Sequence, residues 1–169
     1  YISLPVGNHD LQRIMNGNRD QRDLEIIQVF AFTMPNIPFI YYGDETGMRQ
    51  LEIKSGKEGA YGLRAGARTP MQWSNEKNKG FSTAKPEKQY FPDDYRENAP
   101  NVSDQESDDN SLLNFTRKLV KLHKTEAALA NYASFIPVYA IENQYPFVYL
   151  RVLGNEKLLI ILNPSNEQK

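Results

Sequence analysis

The 169-residue chain contains no cysteine, which excludes disulfides and thiolate metal sites and leaves the redox compartment open. Histidine is nearly as scarce, with only His9 and His123. His9 stands beside Asp10, a poor arrangement for two ligands of one zinc, so no metal or other cofactor is expected. Neither sign of charge is in excess: 20 basic and 21 acidic side chains leave a net charge of -1, which argues against a nucleic-acid partner. No apolar run approaches the roughly 20 residues of a membrane-spanning helix, so no membrane partner is expected. No serine stands in a G-x-S-x-G elbow, so a serine-type triad is not indicated, and no internal repeat is visible. The chain opens on Tyr1 without a signal-peptide pattern. The expectation is a piece of something longer; its localisation stays open, with the missing signal peptide tilting slightly toward the cytoplasm. With 40% hydrophobic and 24% charged residues, a globular fold is the default. The length allows one domain with a real core but falls short of the roughly 250 residues of a complete eight-unit β/α barrel.

The pattern along the chain is α/β at first. Residues 1–6 read as a short strand that ends at Gly7. Asn18, Arg19 and Asp20 open a helix, with Asn18 or Asp20 as its cap. Leu24, Ile27, Phe30, Ala31 and Met34 recur at helical spacing, and Ile26, Val29 and Phe32 widen the apolar face, so this helix is expected to be largely buried. Pro35 stops it. Residues 38–42 read as a second strand, which makes a parallel crossover unit. Residues 49–110 are long, polar and rich in Gly, Pro, Asn and charge. The acidic run of Asp93, Asp94, Glu97, Asp104, Glu106, Asp108 and Asp109 reads as solvated surface, since it lacks the spacing of a calcium loop. A helix begins at Ser111, capped by Asn110 or Asp109, with Leu112, Phe115, Leu119 and Leu122 inward. His123 on this lysine-rich helix reads as a surface residue. Three strands follow over 135–141, 147–153 and 157–162, the last two joined by a Gly154-Asn155 hairpin.

Asn8-His9-Asp10 falls just past the first strand, at the edge where ligand sites of parallel α/β folds gather. A carboxylate there can accept from two hydroxyls and an imidazole can add a donor. Arg13 could orient that carboxylate. Read alone, the tripeptide is more often a structural loop than a site. Asp44-Glu45 is a second acidic pair at a strand end, but successive strand residues point to opposite faces.

Four segments, in order, carry a family resemblance. Gly7-Asn8-His9-Asp10 resembles the fourth signature motif of the α-amylase family, at the end of barrel strand seven. The segment from Pro38 through Tyr41-Tyr42-Gly43-Asp44-Glu45 to Met48 is similar to the strand-eight segment of that family. Ala67-Arg68-Thr69-Pro70-Met71-Gln72-Trp73, followed by Gly80-Phe81, resembles a loop of the oligo-1,6-glucosidase, α-glucosidase and trehalose synthase branch. Asn101-Val102 to Gln105, with Ser111 to Phe115 and Arg117 to Leu119, is similar to the approach to helix eight.

The resemblance implies an α/β fold: the last part of a (β/α)8 TIM barrel over residues 1–131, then the start of a truncated C-terminal β-sandwich over 132–169. It implies a complete parent that is a retaining glycoside hydrolase acting on α-glucoside oligosaccharides, or a related transglycosylase or isomerase. A non-catalytic homologue is the rival. Asp10 would be the third carboxylate, stabilising the transition state at the sugar hydroxyls, with His9 donating to the same sugar. Arg13, Arg68 and Phe81 are further substrate-binding candidates. Nucleophile and acid/base would lie outside these residues, so the chain alone is expected to be inactive. Its open strand edges imply self-association when isolated.

Overall fold

The computed structural model describes residues 2, 3 and 5–165. Four helices are present among them: α1 (Gln21–Thr33), α2 (Arg64–Ala67), α3 (Val102–Glu106) and α4 (Leu112–Thr125). Three strands follow: β1 (Ser134–Tyr139), β2 (Phe147–Leu153) and β3 (Glu156–Leu162). The chain forms two compact units, each discontinuous in sequence. One comprises residues 1–4, 25–39 and 116–169; the other comprises 5–24 and 40–115.

In the first unit, β1, β2 and β3 form an antiparallel sheet in that order. The β2–β3 hairpin closes through Gly154-Asn155, as its sequence requires. Gly154 lies at φ +59°, where glycine alone is free of the Cβ penalty. Pro137, which has no N–H to donate, sits on the edge strand beside a register shift. One face of the sheet is the core of this unit. Tyr149, Ile160 and Leu162 are buried there against Val29 and Met34 of the helical segment. The Tyr149 hydroxyl pairs with Thr33 Oγ1 at 2.5 Å. Arg151 is fully buried and donates to the Thr33, Ala130 and Ala133 carbonyls. The opposite face carries Ile136, Val138, Leu159 and Ile161, all exposed.

Helix α1 begins at a reciprocal cap. Asp20 Oδ1 accepts from the Asp23 amide at 3.2 Å, and Asp23 Oδ2 accepts from the Asp20 amide at 3.0 Å. Of its broad apolar face, Leu24, Ala31 and Phe32 are buried. Ile26, Ile27 and Val29 are half-buried and Phe30 is exposed, so the face is covered less than its pattern predicts. Helix α4 is capped by Ser111 rather than by Asn110 or Asp109: Ser111 Oγ accepts from the Asn114 amide at 3.2 Å. His123 is not a plain surface residue. Its ring is half-buried, edge-on to Phe32, with Nδ1 2.7 Å from the Phe32 carbonyl.

The two expected parallel strands are not regular strands among the described residues; Tyr1 and Leu4 of the first lie outside them. The first segment makes one parallel bridge, Ser3 to Ile37, just before the second segment, with the Ile37 amide donating to the Ile2 carbonyl at 3.2 Å; a further parallel bridge joins Met15 to Arg49. A parallel pair has slanted, weaker bonds and is found stable where neighbouring strands and covering helices support it. Phe39, Ile40 and Tyr42 of the second segment remain exposed.

In the second unit, residues 49–110 are ordered mainly by side chains reaching backbone. Asn78 Nδ2 donates to the Ser82 and Ala84 carbonyls at 2.7 and 2.9 Å. The acidic run is not uniformly solvated, because Asp93 and Asp94 are buried. Asp94 receives Arg49 Nε at 2.7 Å and Arg96 Nε at 2.8 Å. Burial pushes its carboxyl up, but the hydrogen bonds from Arg96 and Arg49 outweigh that and hold it below the usual carboxylate range. The stability this pair supplies is present above the ordinary carboxylate value and is lost as pH falls through the lower folded one.

Candidate active site

The turn that carries His9 and Asp10 is set by Asn8. Its Oδ1 accepts from the Asp10 amide at 2.7 Å and the Leu11 amide at 3.0 Å, a local side-chain turn. The turn leaves the His9 and Asp10 side chains open to solvent. Two arginines converge on Asp10 Oδ1: Arg64 Nε at 3.2 Å and Arg68 Nη2 at 3.0 Å. Arg68 also donates from Nε to the His9 carbonyl at 2.8 Å and from Nη1 to the Gly59 carbonyl at 3.1 Å. His9 Nε2 lies 3.5 Å from Asp10 Oδ2. The carboxylate is therefore held through one oxygen, while the other stays beside the imidazole.

Arg64 was not singled out from the sequence. The signal was available: Arg64 and Arg68 are four residues apart around the short helix α2, and that spacing puts two side chains on one helical face. The helix can approach closely because Gly66 has no side chain; a Cβ there would lie 1.8 Å from the Leu51 carbonyl oxygen.

Arg13 sits elsewhere than at an open binding surface. It is 1% exposed. Its Nη1 donates to the Tyr42 carbonyl at 2.7 Å and lies 3.6 Å from Asp44 Oδ1. Its guanidinium packs over the Tyr41 and Tyr42 rings, 5.2 and 4.8 Å from their centroids. Asp44 is 3% exposed. Burial pushes its carboxyl up to about 7, with Arg13 pulling the other way and Glu45 adding to the rise.

Phe81 is exposed and lines a cleft of about 670 Å³ with Tyr42, Arg68, Trp73 and Tyr90. Arg68 thus belongs both to this aromatic cleft and to the Asp10 cluster. Aromatic faces beside a carboxylate and fixed cations make a surface suited to a polyhydroxyl ligand: rings cover its C–H faces and polar groups take its hydroxyls. Among the described residues no group of three or more His, Cys, Asp or Glu side chains is placed to hold a metal ion. No helix among them is long and apolar enough to cross a membrane.

An acidic turn held by two arginines lies beside an aromatic cleft, and the comparison with known proteins gives the family. Residues 1–132 match the family "Alpha amylase, catalytic domain", and the chain belongs to the α-amylase family. The trehalose synthase/amylase TreS of Mycobacterium tuberculosis is 37% identical over 117 residues, covering 67% of this chain and 18% of that protein. The trehalose synthase of Thermus thermophilus is 32% identical over 150 residues, 86% of this chain and 15% of its own length. The oligo-1,6-glucosidase of Parageobacillus thermoglucosidasius is 27% identical over 98% of this chain and 34% of its own. Among solved structures, an isomaltulose synthase variant from Erwinia rhapontici in complex with sucrose superposes with a TM-score of 0.77 at 26% identity. That match covers 94% of this chain and 34% of the other. The chain thus spans about a third or less of the proteins it resembles.

Proposed function

We propose that this chain is part of a retaining enzyme acting on α-glucosides, and that Asp10 is its sugar-holding carboxylate. The observation that carries the reading is the geometry at Asp10: one oxygen fixed by Arg64 and Arg68, the other open beside His9. A carboxylate fixed in this way accepts from sugar hydroxyls without reorganising. Such contacts raise the rate when they tighten as the ring approaches an oxocarbenium ion. Arg68 and Phe81 then shape the side of the cleft where the rest of an oligosaccharide lies.

In this reading residues 1–131 are the C-terminal portion of a (β/α)8 barrel, with Gly7 and Pro38–Tyr42 at strands seven and eight. Residues 132–169 open an all-β domain. The nucleophile and the acid/base lie on parts of the protein outside these 169 residues. Water is the acceptor in a hydrolase, and a second sugar position in a transglycosylase or isomerase. The trehalose synthase relatives keep the second option open for this chain.

Assay of the complete protein on maltose and p-nitrophenyl α-glucoside tests the reading. Turnover with the α-anomer as first product is expected. A well-folded complete protein without turnover would leave the non-catalytic homologue standing. The exposed aliphatic face of the sheet and the exposed Phe39, Ile40 and Tyr42 further imply that the isolated chain self-associates. Light scattering across a range of concentrations should show mass above that of a monomer; a concentration-independent monomer would contradict this.

A further inference from the structure

Gly7 and Arg13 bracket the turn that carries His9 and Asp10, and both rest on the segment of residues 41–50. A Cβ added at Gly7 would lie 2.3 Å from Asp44 Oδ2, so the buried carboxyl fills the space a side chain would take. At the other bracket, Arg13 donates to the Tyr42 carbonyl, faces Asp44 Oδ1, and donates its backbone N–H to Gln50 Oε1 at 3.0 Å. Gly43 is required for this approach. It lies at φ +85°, and a Cβ there would meet Arg13 Nη1 at 2.9 Å and Met48 Sδ at 2.4 Å. One carboxyl group therefore touches both ends of residues 7–13, with the exposed turn between them.

We propose that Asp44 is a positioning residue for the Asn8–Asp10 turn, its carboxylate packed against Gly7 on one side and paired with the Arg13 guanidinium on the other. This rests on the reading of Asp10 as the sugar-holding carboxylate. Asp44 touches no sugar; it acts by fixing where Asp10 stands. The groups that bear on its charge are Arg13, which favours the ionised form, and Glu45, which opposes it; the Tyr41 and Tyr42 rings pack on the same guanidinium.

Burial sets the carboxyl at about 7, well above its ordinary value of 3.8. A raised folded value means that the stability contributed by the protonated carboxyl is full below about 4 and is lost as pH rises through about 7. Ionisation of Asp44 thus weakens the fold while completing the anchor of Arg13. The pH dependence of activity should then run opposite to that of stability across this step.

The test is steady-state kinetics on the complete protein and its Asp44→Asn and Asp10→Asn variants between pH 5 and 9, with circular dichroism to verify folding. Wild-type kcat should rise through a step near pH 7. D44N should lose that step and lower kcat by about tenfold, with KM changed about twofold or less, as displacement of a reacting group produces. In the D10N background, D44N should add little, since both act through one group. A D44N enzyme with wild-type kcat and an unaltered step, beside an impaired D10N, would overturn the proposal and leave the Asp10 reading intact. An unimpaired D10N would sink the Asp10 reading and this one with it. Should D44N fail to fold, the wild-type profile decides: a kcat flat from pH 6 to 8 contradicts the proposal.

Discussion

Replacing Asp10 by Asn in the complete protein is expected to lower kcat about 100-fold or more, with a smaller change in KM. The isosteric amide keeps one acceptor oxygen and gains two N–H donors. Arg64 and Arg68 converge on Oδ1 and offer only donors, so the amide oxygen must face them. The NH2 group then faces the sugar, where an acceptor is needed. A 100-fold loss corresponds to about 2.7 kcal/mol of transition-state stabilisation. Ground-state binding suffers less, because the hydroxyl contacts strengthen only as charge develops on the ring. Kinetics on p-nitrophenyl α-glucoside measure both constants, and an unchanged kcat/KM would remove Asp10 from the site.

The second large effect concerns the chain by itself. The isolated 169 residues are expected to show no turnover of maltose or p-nitrophenyl α-glucoside above the buffer rate. Retaining displacement needs two carboxyl groups flanking the bond, one attacking and one protonating the leaving oxygen. Asp10 is fixed through Oδ1 by Arg64 and Arg68, and in this account its other oxygen holds sugar hydroxyls. Asp44, the other carboxyl singled out at a strand end together with Glu45, is 3% exposed and faces Arg13. Clear turnover by the purified chain, abolished by a substitution within it, would contradict the account.

The sequence disclosed the elements whose signals are local and periodic. Helix α1 followed from the spacing of Leu24, Ala31 and Phe32 and from Asp20 ahead of it. The β2–β3 hairpin followed from Gly154-Asn155 between two apolar runs. The motif residues His9, Asp10 and Arg68 were legible through their resemblance to the family, and the fold brings them together.

What stayed hidden depends on partners far along the chain. Apolar residues 38–42 carry a strand pattern, but a ladder needs neighbours that a pattern cannot supply, and the nearest bridge falls at Ile37, just before them. Asp94 looked solvated because charge alone is visible in sequence; its burial depends on Arg49, 45 positions away. Arg13 looked like a binding residue because it follows the motif by three positions. Its neighbours Tyr42 and Asp44 come from another segment and enclose it. Arg64 and Arg68 share a helical face by their spacing, but that α2 brings this face to Asp10 depends on contacts outside the segment.

The most direct measurement is a crystal structure of the complete D10N protein soaked with an α-glucoside, in which slow turnover preserves the substrate. The account expects a sugar ring whose hydroxyls lie within hydrogen-bond distance of the residue-10 side chain and His9, with Arg68 alongside and the remaining sugar units toward Trp73 and Phe81. A fully occupied sugar bound elsewhere, with residue 10 still paired only to Arg64 and Arg68, would contradict it.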